Sequence, residues 1–202
     1  MVGRQLSKAS TKTQDAHAAL REATAKRHAD IDDLLALRRP FGRAHYARVL
    51  QGFAAFLAGW EPRMAQVLPS HWQDWFAATR RLPLVQRDLA ALGVVAVPAA
   101  IALPALETWP AALGSLYVLE GSALGGQFIA AQARRQLALT PDHGTAYFNG
   151  CGAATMARWR EFLDRFATDV DAVPGGRVQA IVAANATFDA LARTFAPGTG
   201  HQ

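Results

Sequence analysis

Apolar side chains along this chain return at the spacing of helices almost everywhere. Leu20, Thr24, His28, Ile31 and Leu35 recur in steps of three and four, so they share one face of a helix that Arg38, Arg39 and Pro40 bring to an end. A second helix is expected from about Arg43 to Met64, with Tyr46, Val49, Leu50, Phe53, Phe56, Leu57 and Trp60 as its buried stripe and Pro62 and Pro69 at its end. Trp72, Trp75 and Phe76 stand at ordinary helix-burial spacing after His71, which favours core packing over a recognition surface. Further helices are expected over Leu84–Leu92, Pro110–Leu137, Thr145–Val170 and Arg177–Phe195, the last two parted by the turn signal Pro174-Gly175-Gly176. Val94–Val97 is the one β-branched cluster of note and no period-two strand stands out. The class is therefore all-α, a single-domain bundle of six or seven helices. Residues 1–16 are polar and aperiodic and read as a flexible N-terminal arm, 17–197 as the domain and 198–202 as a C-terminal tail.

Composition narrows the picture. At 202 residues, 51% hydrophobic and 18% charged, the chain has enough apolar material for one sizeable core. Leu89–Leu106 carries no charge and is long enough to raise the question of a membrane span, but Gly93, Pro98 and Pro104 interrupt it, so a buried connection is expected. The polar start lacks a secretory signal, which places the chain in the cytoplasm. A single cysteine, Cys151, excludes a disulfide scaffold and a thiolate zinc site. The net charge is +5, yet the basic residues are scattered, with no run of five and only Lys8, Lys12 and Lys26 as lysines. That pattern suits an acidic protein partner better than nucleic acid.

Two features carry candidate chemistry. His28 interrupts an apolar stripe, so its ring is expected to point inward, with Asp32 one turn later to accept from one ring nitrogen and Arg21 two turns earlier to meet an anion. A hydrogen-bonded core histidine has the same spacing, and spacing alone favours it. The second feature is Gly121-Ser122-Ala123-Leu124-Gly125-Gly126-Gln127 inside a long helical pattern. Three glycines there cost about 2–3 kcal/mol relative to alanine, so something must compensate. Either another helix packs closely through the Gly121/Gly125 pair, or a flat ligand lies against the bare backbone.

Taken together, Leu20-Arg21-Glu22-Ala23-Thr24-Ala25-Lys26-Arg27-His28 resembles the proximal-helix motif of haem oxygenases, and the Gly121–Gln127 run resembles their distal helix. Leu116-Tyr117-Val118-Leu119-Glu120-Gly121-Ser122, and Tyr147-Phe148-Asn149-Gly150-Cys151-Gly152 leading to Trp159, are most similar to the bacterial branch associated with bacteriophytochromes. The resemblance implies a haem oxygenase-like bundle that holds haem between a proximal and a kinked distal helix, with haem as both cofactor and substrate. His28 would be the iron ligand, Asp32 its orienting carboxylate, and Arg21 a propionate partner, with Arg177 and Arg193 of the last helix as further candidates. Gly121, Gly125 and Gly126 would line the distal side, and Ser122 stands where the animal-type pattern has an aspartate. The implied activity converts haem to biliverdin, CO and ferrous iron with dioxygen and external electrons from a ferredoxin or reductase. An apo-bacteriophytochrome would be a recipient of the biliverdin, and neither a membrane nor a nucleic acid would be a partner. A non-catalytic haem carrier or sensor on the same fold, and a basic helical regulator, are the rival readings.

Other signals are weaker. Gly150-Cys151-Gly152 half-matches a dinucleotide loop but lacks the last glycine and a preceding strand. No Glu-x-x-His pair exists for a di-iron site. His17, His45, His143 and His201 are expected to be solvated.

Overall fold

A computed structural model describes residues 2–96 and 101–196, with side chains from Thr13 onward. The tail at 198–202, His201 and Pro98 lie outside these residues. Among them the fold is all-α, with helices α1 (Val2–Leu35), α2 (Arg43–Val67), α3 (Ser70–Ala77), α4 (Leu82–Ala91), α5 (Trp109–Leu137), α6 (Ala146–Asn149), α7 (Thr155–Asp171) and α8 (Gly176–Phe195), and no strand. No described helix is long and apolar enough to cross a membrane.

Three boundaries differ from expectation. Helix α1 continues back to Val2, through the stretch read as an arm. Residues 2–16 contain no proline, and lengthening a helix that is already nucleated needs only one hydrogen bond per residue fixed. Helix α2 runs past Pro62 to Val67, because a proline there removes one hydrogen bond while buried Trp60, Glu61 and Met64 hold the turn in place. The single helix expected over 145–170 is divided into α6, a one-turn 3-10 segment (Gly152–Ala154) and α7. Gly150 and Gly152 take φ of +52° and +56° there, a conformation that stops a right-handed helix.

The core is centred on α5 and α8. Gly114 lets the backbone of α8 approach so closely that a Cβ would collide with the carbonyl of Ala180. Beside it a buried polar chain ties three helices: Trp60 donates to Ser115 Oγ at 2.8 Å, and Thr187 donates to the same oxygen at 2.7 Å. Trp72, Trp75 and Phe76 are buried on α3 as their spacing implied, the two indoles packed against Phe162 of α7 and Phe76 against Trp60 of α2. Arg158 and Arg165 of α7 lie over the faces of Trp75 and Trp72. Helix α1 packs on α7 and α8, and α5 packs on the same two helices. The two stripes that the sequence singled out therefore share a common floor.

Candidate functional site

On α1, Arg21, Ala25, His28 and Ala29 are all exposed and repeat at three- and four-residue steps, which leaves an open stripe beside the buried one. The His28 imidazole does not point into the core as expected. It is exposed, its ring centroid lies 5.8 Å from that of Phe188 on α8, and neither ring nitrogen has a hydrogen-bond partner. Asp32 does not orient it, because its carboxylate meets Arg38 at 2.9 Å. The chain turns back after Leu35 and brings a full guanidinium charge to Asp32, a stronger partner than a neutral imidazole. Next to His28, Arg27 bonds Asp189 at 2.8 Å and so fixes this part of α1 on α8.

On α5 the glycines have separate surroundings. A Cβ at Gly125 would meet nothing within 4 Å, whereas one at Gly121 would touch the Trp159 indole at 3.4 Å. Gly126 does not belong to an open face: a Cβ there would lie 2.6 Å from the carbonyl oxygen of Phe148, so its bareness serves the contact with α6. Ser122 Oγ donates to the Leu119 carbonyl at 2.7 Å, within its own helix. One turn beyond Gly125, Phe128 is 47% exposed, and Met156 at the start of α7 is exposed to the same extent. Helices α5 and α7 run antiparallel, since Gln127 reaches Thr155, Gly121 touches Trp159, and Tyr117 lies against Phe166. Met156 therefore stands at the level of Gly125.

The two open stripes meet at one end. His17 of α1 lies 6.1 Å from Tyr117 of α5 and 5.7 Å from Trp159 of α7, ring to ring. His17 precedes His28 by three helical turns on the same face, a periodicity that could have singled it out although solvation was expected. Burial, and secondarily Arg21, hold its imidazole below the usual 6.5. Burial pushes the Tyr117 phenol up to about 12 and Arg21 works against that. Because the unfolded chain takes up this His17 proton more readily, stability falls as pH drops through 6.5 toward the lowered folded value. His17→Gln is expected to flatten that acid slope in thermal melts between about pH 5 and 7.5.

Behind the glycines is a buried ion pair. Glu120 meets Arg81 at 3.2 Å, with only 5% and 11% of their side chains exposed. Burial pulls the Arg81 guanidinium down, but the charge and hydrogen bond of Glu120, together with Tyr147 and Cys151, outweigh it and leave the group above its ordinary value. The backbone N–H groups of Arg81 and Leu82 donate to Glu61 Oε1 at 2.6 and 2.8 Å, so a carboxylate from α2 caps α4. Asp88 likewise accepts from the N–H groups of Ala146 and Tyr147, at 2.8 Å each, and starts α6.

The chain has known relatives. The chain is 36% identical over 140 residues, 65% of its length and 82% of the relative's, to a haem oxygenase of Xanthomonas campestris pv. campestris (strain 8004). The chain belongs to the haem oxygenase family. A solved haem oxygenase from Neisseria meningitidis, described with NO and CO bound, shares the fold with a TM-score of 0.73 at 23% identity, over 91% of this chain and 94% of that one. No family model matches the chain.

Seen as a haem oxygenase fold, the open stripes fit the group such proteins act on. A flat, largely apolar macrocycle with carboxylates could be met by an imidazole without hydrogen bonds, a bare helix face and a cation, and the described residues offer His28, the open face at Gly125 and Arg21 in those capacities. Arg177 is not placed for this role, because its Nε/Nη2 edge is taken by Asp171 at 2.7–3.1 Å. It also lies about 16 Å along α8 from Phe188, the residue that touches His28. Arg193 sits beside the carbonyl of Ala102 at 3.5 Å, away from the N-terminal end of α8. The remaining described histidines lie elsewhere: His45 donates to the Leu35 carbonyl and finishes α1, His71 bonds Asp169, and His143, exposed, pairs with Thr140 through its backbone in a turn.

Proposed function

We propose that this protein binds haem through His28 and degrades it to biliverdin, CO and ferrous iron, using dioxygen and electrons supplied from outside. The observation that carries the reading is the exposed imidazole of His28, free of hydrogen bonds, on a helix that shares its floor with the open glycine face of α5. Membership of the haem oxygenase family supports the same chemistry. Bound haem supplies the iron at which dioxygen is reduced, and its own ring is what is opened.

The chain's residues then have distinct tasks. A neutral His28 nitrogen offers its lone pair to the metal without the strong electron donation of a thiolate. Arg21, with Tyr117 and His17 beside it, presents a cation and polar hydrogens where propionate carboxylates would dock. Gly121 and Gly125 allow the distal backbone to lie close to a bound diatomic, while Phe128 and Met156 offer apolar cover that excludes water once a ligand is in place. Ser122 keeps acceptor capacity on its oxygen, although its proton is donated to Leu119. The arginine-rich surface and net charge of +5 suit an acidic ferredoxin or reductase as electron donor. The likeness of the Leu116–Ser122 run to the bacterial branch supports delivery of biliverdin to an apo-bacteriophytochrome, and a red-shifted absorbance when the two are mixed during turnover would test it.

The direct experiment is to add haemin to the purified protein, then reductant and air, and to follow the Soret band. Its loss, with growth of biliverdin absorbance, is the expected result. A Soret band that persists through reduction and aeration would make the protein a carrier or sensor, and no Soret band at all would overturn haem binding.

A further inference from the structure

The open segment of α5 is bracketed by two anchors. On its C-terminal side Gly126 lies on the Phe148 carbonyl, and the Gln127 amide donates to the Asn149 carbonyl and to Thr155 Oγ. On its N-terminal side the anchor is Glu120, one residue before Gly121, held by Arg81 at 3.2 Å. Arg81 is itself fixed, because its backbone N–H and that of Leu82 are spent on Glu61, and Arg80 Nε reaches the other oxygen of the same carboxylate at 2.9 Å. Glu61 is 1% exposed and belongs to α2. A continuous path thus runs from α2 through the start of α4 to the first distal glycine.

A buried ion pair is a poor device for stability alone, since the desolvation of both charges commonly cancels their attraction and apolar replacements of similar size do as well. Its advantage is direction: a guanidinium and a carboxylate prefer a narrow set of geometries, whereas two apolar side chains slide. Gly121 has given up a Cβ that would rest on Trp159, and Gly125 faces open space, so the segment needs orientation from outside itself.

We infer that Arg81 and Glu120 are positioning residues which set the height and angle of the glycine segment of α5 over the haem face, and with them which edge of the ring is oxidised. The inference rests on the haem-degrading reading above, but how firmly the pair holds this segment of α5 is measurable without haem.

The test compares wild type, Glu120→Gln and the double variant Arg81→Met/Glu120→Leu. In the haem-free proteins, amide hydrogen exchange is followed for residues 119–127 and, as an internal reference, for α8. With haem, the biliverdin isomers are separated by chromatography. The double variant is expected to melt close to wild type, to exchange at least about tenfold faster across 119–127 with α8 unchanged, and to yield mixed isomers where wild type yields one dominant product. Glu120→Gln, which keeps an acceptor but loses the charge, is expected to fall between them. Wild-type exchange across 119–127 in both variants, or an unchanged isomer ratio in a folded double variant, would overturn the inference. If wild type itself makes no biliverdin, the functional reading fails, and the exchange arm still decides whether the pair orients the segment.

Discussion

Replacing His28 by alanine is expected to weaken ferric haem binding by at least about tenfold, or ~1.4 kcal/mol, and to abolish biliverdin formation, while the haem-free protein melts as wild type does. The asymmetry follows from the surroundings of the ring. His28 is exposed, forms no hydrogen bond and lies tilted at 5.8 Å, centroid to centroid, from Phe188, so its loss opens no cavity and orphans no polar group. A structural histidine would show the opposite pattern, with lost stability and intact ligand chemistry. Haemin titration by absorbance, melts without haem and product yield distinguish the two. Added imidazole should restore part of the Soret band in the variant. Unchanged affinity and yield in His28→Ala would remove the ligand assignment and with it the proposed orientation of haem.

Substitution at the two adjacent glycines is expected to act with opposite sign. Gly125→Ala adds a methyl group to open space and replaces the poorest ordinary helix former by the best, so the haem-free protein should gain up to about 1 kcal/mol, a rise of some 2–4 °C for a chain of this length. Gly126→Ala places a Cβ at 2.6 Å from the Phe148 carbonyl, a backbone atom that cannot rotate away, and should cost roughly 1–3 kcal/mol. Function should divide the other way. Gly125→Leu is expected to slow turnover at least about tenfold or to shift the isomer produced, because its side chain fills the space over which dioxygen would bind. Gly126→Ala strains the Phe148 anchor but adds nothing over the ring face, so it should slow turnover less than Gly125→Leu does. Melting curves and product chromatography check both halves, and a Gly125→Leu variant with wild-type rate and isomer would show that this face is not the distal surface.

Much of the fold was written in local pattern. The α5 and α8 spans agree with expectation to within a residue, since proline near the start of one, a double glycine turn before the other, and a continuous apolar face are signals carried by neighbours in sequence. The division of 145–170 was less visible, because Gly150 and Gly152 break a helix only if they take positive φ, and burial of Tyr147 and Phe148 above Asp88 decides that they do. His45 shows the same limit. Its sequence position suggested solvent, and the bond its Nε2–H donates to the Leu35 carbonyl depends on how α1 and α2 meet.

Residue type and helical period made His28, Arg21, Gly121 and Gly125 candidates, but the inward direction they implied for His28 did not hold, since its ring is exposed beside the buried stripe. Partners are another matter. Asp32 turned to Arg38, Arg177 to Asp171 and Gly126 to Phe148, while Arg81 and Glu120 met across 39 positions of sequence. Period and propensity act over one or two turns, so they assign a residue to a face. Which of several oppositely charged or closely fitting groups occupies that face is settled by Coulomb attraction and excluded volume between distant segments, and those act only after the helices have packed.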